Sequence, residues 1–360
     1  MHIVRHVLPC LAMFVLAGAQ AGTEAQKSGD ELKKMPEWPV ALRLAPISGF
    51  ESDDDYLRAV RCKVADLCKE EVAATDPLIE IDHRVAAANL LLGKCLEPAC
   101  SAKFLGIASP VSANQTRSTF EEVDAVLAHA DGLVLQAEAG GDSSPGRLRE
   151  IARQVATLRT FSDALRVYLL MDAEDDVERR ARHAAASLSV LLEDANPEVV
   201  AAATLWQARL RSVSAKPARA LTLLDPPLAR PPSGTLRYSF FARLLSCRLI
   251  AGGGGYGSAT ALMIQMEKLV DEWFVDAGDR ADARRTIALV EIQILRDWRS
   301  ELNSPDHGEE RTWCDERIDV LVRQHFATSQ TVLRLDTAIP IIKLPAGERT
   351  GPQPPQMDDR

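Results

Sequence analysis

The residues best placed to do chemistry in this sequence are six cysteines: Cys62, Cys68, Cys95, Cys100, Cys247 and Cys314. A seventh, Cys10, lies in an apolar N-terminal run that reads as a leader. An even set of cysteines in an exported chain reads first as disulfides, and many connectivities are open. Cys62 and Cys68 share the helical segment 55–72, where six residues rise by about 9 Å, too far for a bridge. Antiparallel helices over 55–72 and 78–97 would instead be pinned by crossed pairs such as Cys62–Cys100 and Cys68–Cys95, leaving Cys247 to Cys314. Cys95 and Cys100 flank Pro98 closely enough for a local bridge as well. The competing chemistry is a four-cysteine zinc site, which needs two short knuckles. Only Cys95 and Cys100 have that spacing, so disulfide is the expected use.

No other constellation reaches a named reaction. His83, His129, His183, His307 and His325 show no two-histidine ligand spacing, and His307-Gly308-Glu309-Glu310 reads as a solvated loop. Arg84 is expected to pair locally with Asp82. The acid pairs Glu70-Glu71, Asp175-Asp176 and Glu309-Glu310 are adjacent in sequence, and where they open a helix the macrodipole explains them. Gly252–Gly255 follows a helix and is not succeeded by Lys-Ser/Thr, so it reads as a hinge and not a phosphate loop. No Gly-x-Ser-x-Gly elbow is present. Trp273, Phe274, Trp298 and Trp313 sit among apolar neighbours and read as packing residues. No catalytic, cofactor-binding or metal-binding residue is assigned, and no cofactor is expected.

Positioning elements follow from composition and periodicity. The chain has 360 residues, 46% of them apolar, with 42 Lys+Arg against 51 Asp+Glu and a formal charge of −9. The acid excess argues against nucleic acid as a partner, because phosphate neutralisation needs a basic face. Residues 1–21 have a mildly positive start, the apolar run Val7–Gly18 and Ala19-Gln20-Ala21, the anatomy of a signal peptide cleaved after Ala21. The mature chain is then exported, periplasmic or extracellular, with no transmembrane segment. Its charge becomes −10 on loss of Arg5.

Residues 22–52 read as a linker holding one extended segment or short strand at 40–44. A disulfide-braced helical region is expected over 53–140, a helical-hairpin region over 145–330, and an extended or disordered tail over 336–360. Helices are expected at 119–137, 146–159, 162–171, 174–193, 197–213, 216–225, 234–251, 257–275, 278–301 and 309–327. Between Val177 and Leu192, apolar residues at 177, 181, 184, 185, 188, 191 and 192 mark one face at helical pitch. Strand signals are nearly absent, so the fold class is all-α.

Within 148–168, Leu148, Ile151, Ala152, Val155, Phe161, Ala164 and Tyr168 stand at spacings that resemble a tetratricopeptide repeat. In that family a small residue of one helix faces a small residue twelve positions later in the next, and Ala152, Ala164 and Tyr168 fit. Ala208 with Ala220 and Cys247 with Ala259 repeat the interval. The resemblance covers roughly 145–275 and implies antiparallel helical hairpins stacked as a solenoid or irregular superhelix. It further implies a non-enzymatic scaffold that binds a protein or peptide. The alternative from another class is a helical cell-envelope enzyme acting on polysaccharide or peptidoglycan.

Overall fold

A computed structural model describes residues 42–44, 53–69, 77–107, 109–140, 145–170, 176–213, 217–224, 231 and 233–326. The chain divides into Met1–Glu37 and Trp38–Arg360. The expected leader and the C-terminal tail lie outside the described residues, and every element below belongs to the second unit.

The described chain is helical throughout, with no strand. Residues 42–44, within the segment expected to be extended, are irregular and form no ladder. They are nevertheless anchored: Leu42 and Leu44 are buried, and the Arg43 N–H donates to Ser101 Oγ at 2.9 Å.

The helices are α1 (Asp53–Leu67), α2 (Pro77–Leu90), α3 (Glu97–Leu105), α4 (Ala113–Gly140), α5 (Pro145–Leu170), α6 (Val177–Leu188), α7 (Pro197–Val213), α8 (Pro217–Leu223), α9 (Leu236–Gly252), α10 (Tyr256–Trp273), α11 (Ala277–Glu301) and α12 (Gly308–His325). Most pack against their neighbours in chain order. Ion pairs report the antiparallel sense. Asp124 meets Arg166 and Asp131 meets Arg159, so α4 ascends as α5 descends. In the same way Arg299 meets Asp315 while Glu291 meets Arg317, reversing α12 on α11. A second set of contacts links alternate helices, α5 to α7, α7 to α9 and α9 to α11. These four form one row, with α6, α8, α10 and α12 packed beside it. The architecture is all-α hairpin stacking, as the sequence implies.

Local pattern explains the row. On α6, Ala181, Ala184, Ala185 and Leu188 are buried. Val190, off that stripe, is 78% exposed. The small alanines let α7 approach closely. Helix α11 is different: from Arg285 to Leu295 every residue is buried, which a helix tolerates only when covered on all sides. No described helix is long and apolar enough to cross a membrane.

Two expected boundaries shift. The helices expected at 146–159 and 162–171 are the single helix α5. Its buried Leu148, Ile151, Val155, Leu158, Phe161, Leu165 and Tyr168 keep helical spacing straight through 160. No Gly or Pro interrupts it, and the threonines there cost only a few tenths of a kcal/mol. Ala152 and Ala164 therefore lie along one helix and do not face each other across a turn. The other two intervals do fall across packed pairs, Ala208 on α7 with Ala220 on α8, and Cys247 on α9 with Ala259 on α10.

The second shift is at Pro98. The helix expected to stop there passes from α2 into a π-turn at Leu91–Cys95, and Pro98 sits in the first turn of a new helix, α3. Proline is tolerated in a first turn because its missing N–H has no intrahelical partner there. Helix α4 begins at Ala113, six residues before the start expected at 119.

Candidate functional site

The site is built around α3. All of Glu97, Pro98, Ala99, Cys100, Ser101, Ala102, Phe104 and Leu105 are buried, leaving Lys103 half-buried. The helix packs on α5 and α11, and the Phe104 ring meets Phe241 of α9 edge-on at 5.3 Å. The face of the α5–α7–α9–α11 row that α3 covers is called the inner face here. A segment of the chain itself occupies it.

The end of α3 is sequence-determined. Gly106 adopts φ 69°, the left-handed region that favours glycine. Ile107 N–H bonds Ala102 O at 2.9 Å and Gly106 N–H bonds Lys103 O at 3.3 Å, a Schellman closure. The remaining carbonyls are met from across the fold. Arg248 of α9 donates to Phe104 O, and to Leu105 O at 2.8 Å. It also donates to the Gln293 side-chain oxygen, while Gln293 of α11 donates through Nε2 to Leu105 O. A cation at the negative end of a helix dipole is favourable, which accounts for an arginine here.

Beside this clamp, further polar groups converge on Tyr168 of α5, whose side chain is fully buried. Lys103 Nζ lies 5.7 Å from the Tyr168 ring centre and donates to Leu169 O at 3.3 Å. The Arg209 guanidinium of α7 lies 5.3 Å from the same centre. Trp206, one turn before Arg209, packs on Tyr168 with ring centres 5.2 Å apart. Burial, with Arg209 adding repulsion, pulls the Arg248 guanidinium down to about 10. Burial pushes the Tyr168 phenol up, against the pull of Arg209.

The cysteines take other places. All six are free thiols, so none of the bridges expected from sequence is formed. Cys62 is exposed on α1, Cys68 is half-buried just past the end of that helix, and Cys95, Cys100, Cys247 and Cys314 are buried on the π-turn, α3, α9 and α12. Burial pushes the Cys95 and Cys314 thiols up to about 11 and the Cys247 thiol to about 12. Among the described residues no three His, Cys, Asp or Glu side chains gather as a metal site.

The remaining candidates are dispersed. His307 Nδ1 lies 3.0 Å from Glu310 on the surface. Arg84 pairs with Glu80 at 3.1 Å, whereas Asp82 reaches Arg147 of α5 at 2.7 Å, because i,i+4 side chains are neighbours on a helix and i,i+2 are not. Gly252–Gly255 turns the chain between α9 and α10, with Gly254 at φ 88°. Trp273 and Phe274 are core residues, but Trp298 stacks on Tyr256 at 5.9 Å and touches Trp313, which is 41% exposed. Lys103, the Trp206–Arg209 pair and Arg248 stand far apart in sequence, and no local pattern singles them out. No family model, curated protein or solved structure matches the chain.

Proposed function

We propose that the chain is an exported, non-enzymatic helical scaffold that binds a protein or peptide partner. The observation that carries this reading is the aromatic ladder Tyr256–Trp298–Trp313, which runs from α10 through α11 to an exposed ring on α12. Trp, Tyr and Arg dominate the energetics of protein interfaces, and Arg299, paired with Asp315 at 2.5 Å, lies in the same two helices. At the α10–α12 end Trp298, itself stacked on Tyr256, packs against Trp313 from behind. The inner face, filled by α3, is not the docking surface in this reading.

The test uses the mature chain, residues 22–360, as immobilised bait in cell-envelope extract, with Trp313→Ala as the matched control. The expected result is a defined protein retained by the wild type and reduced at least tenfold by the substitution. Equal retention by both baits, or measurable hydrolysis of peptidoglycan or polysaccharide by the purified chain, contradicts it.

A further inference from the structure

We propose that the junction of α3, α5, α7 and α9 binds a phosphate-class oxyanion, held by Arg209, Arg248 and Lys103 around Tyr168. The first argument is charge. Lys103 of α3 and Arg209 of α7 lie 5.7 and 5.3 Å from the ring centre of one buried phenol, and Arg248 of α9, within electrostatic reach of Arg209 and that phenol, adds a third cation. Among the described residues neither Arg209 nor Arg248 forms a salt bridge, although arginines elsewhere in the fold commonly do. Asp297 acts on Arg248 only at longer range, and Arg209 and Arg248 repel each other. A pair of guanidiniums half-buried without a carboxylate is costly unless an anion joins them.

The second argument is the hydrogen-bond inventory. Trp206 Nε1, Arg209 Nε and Arg248 Nε are all buried without a hydrogen-bond partner, and the buried Tyr168 hydroxyl has only the Arg209 side chain beside it. The three nitrogens can only donate and the Tyr168 oxygen is the one group of the four that can also accept, so the cluster is short of acceptors. Buried donors without acceptors are rare in folded proteins and point to a missing water or ion. A tetrahedral oxyanion supplies several acceptors at once and charge of the right sign, and charge-assisted bonds from arginine are the strong ones. Lys103, Arg209 and Arg248 each keep partial exposure, which gives an ion access from solvent. Arg248 also grips the end of α3, so occupancy tightens that clamp.

The site is independent of the protein-binding reading, and its test does not use a partner. The mature chain is titrated with sodium phosphate by calorimetry, against sodium chloride at matched ionic strength. The expected result is saturable binding with phosphate and none with chloride. Arg209→Gln should weaken it at least tenfold and Tyr168→Phe a few-fold, with helical circular dichroism unchanged. Lys103→Gln is the second variant, and should weaken binding as well if Arg209→Gln proves unfolded. Glycerol phosphate in parallel identifies the source: tighter binding than inorganic phosphate marks an esterified ligand, weaker binding the free ion. Phosphate no better than chloride, or unchanged affinity in the folded variants, overturns the proposal.

Discussion

At the scale of single residues, Gly106 and His325 do the most with the least sequence. Gly106 sits at φ 69°, and a Cβ there would stand 3.2 Å from the Gln293 amide nitrogen. Gly106→Ala is therefore strained twice, by backbone and by neighbour. It should cost about 1–3 kcal/mol, read as a lowered urea midpoint with unchanged slope. His325, at the end of α12, has its imidazole held below the ordinary value, first by burial and then by Arg285, Arg284 and Arg317, with Glu267 opposing. Because the native pKa lies below the unfolded one, about 6.5, the unfolded state takes the proton first. Stability falls as pH drops from 6.5 towards the lower native value. His325→Gln should flatten that part of a pH–stability profile; an unchanged slope would assign it to other groups. Neither effect could be read from sequence. A glycine after a helix is an ordinary stop, and only the fold brings Gln293 to it.

Elements show where sequence patterns speak and where they fall silent. The stripe on α6 is visible as spacing, and its alanines are the buried face. The break expected near 160 does not occur, although the apolar spacing of α5 keeps register across Phe161. What the pattern could not show was α3. Its residues are nearly all buried, so they have no polar face and no periodicity to read, and Pro98 looks like a stop when it is a start. The cysteines illustrate the same limit, since spacing excludes Cys62–Cys68 but says nothing about which helix faces which. Iodoacetamide at pH 8 should modify exposed Cys62 well ahead of Cys95, Cys100, Cys247 and Cys314, counted by mass spectrometry. Protection of Cys62 alongside the other four would contradict the thiol assignment. On α11, Glu291 is 1% exposed and paired to Arg317 at 2.8 Å. Arg317→Met removes the partner and leaves a buried acid, which should cost about 3–5 kcal/mol in denaturant unfolding at pH 8. The double change Glu291→Met with Arg317→Met should recover much of it.

For the molecule as a whole, chain order is largely spatial order: α4 through α12 add one helix after another. The exception is α3, which lies more than a hundred residues from α9 and α11 in sequence and is held by both through Arg248 and Gln293. That long-range closure makes the inner face a core instead of an open groove. The helical class and the stacking were legible in the sequence because periodicity is local. The closure and the basic cluster at Tyr168 were not, because they are made by residues on separate helices. Native-state hydrogen exchange measures the closure directly. The amides of 100–105 should be among the slowest in the protein, with protection matching that of α9 and α11. Exchange of that segment at the rate of an exposed helix would show that α3 does not fill the inner face.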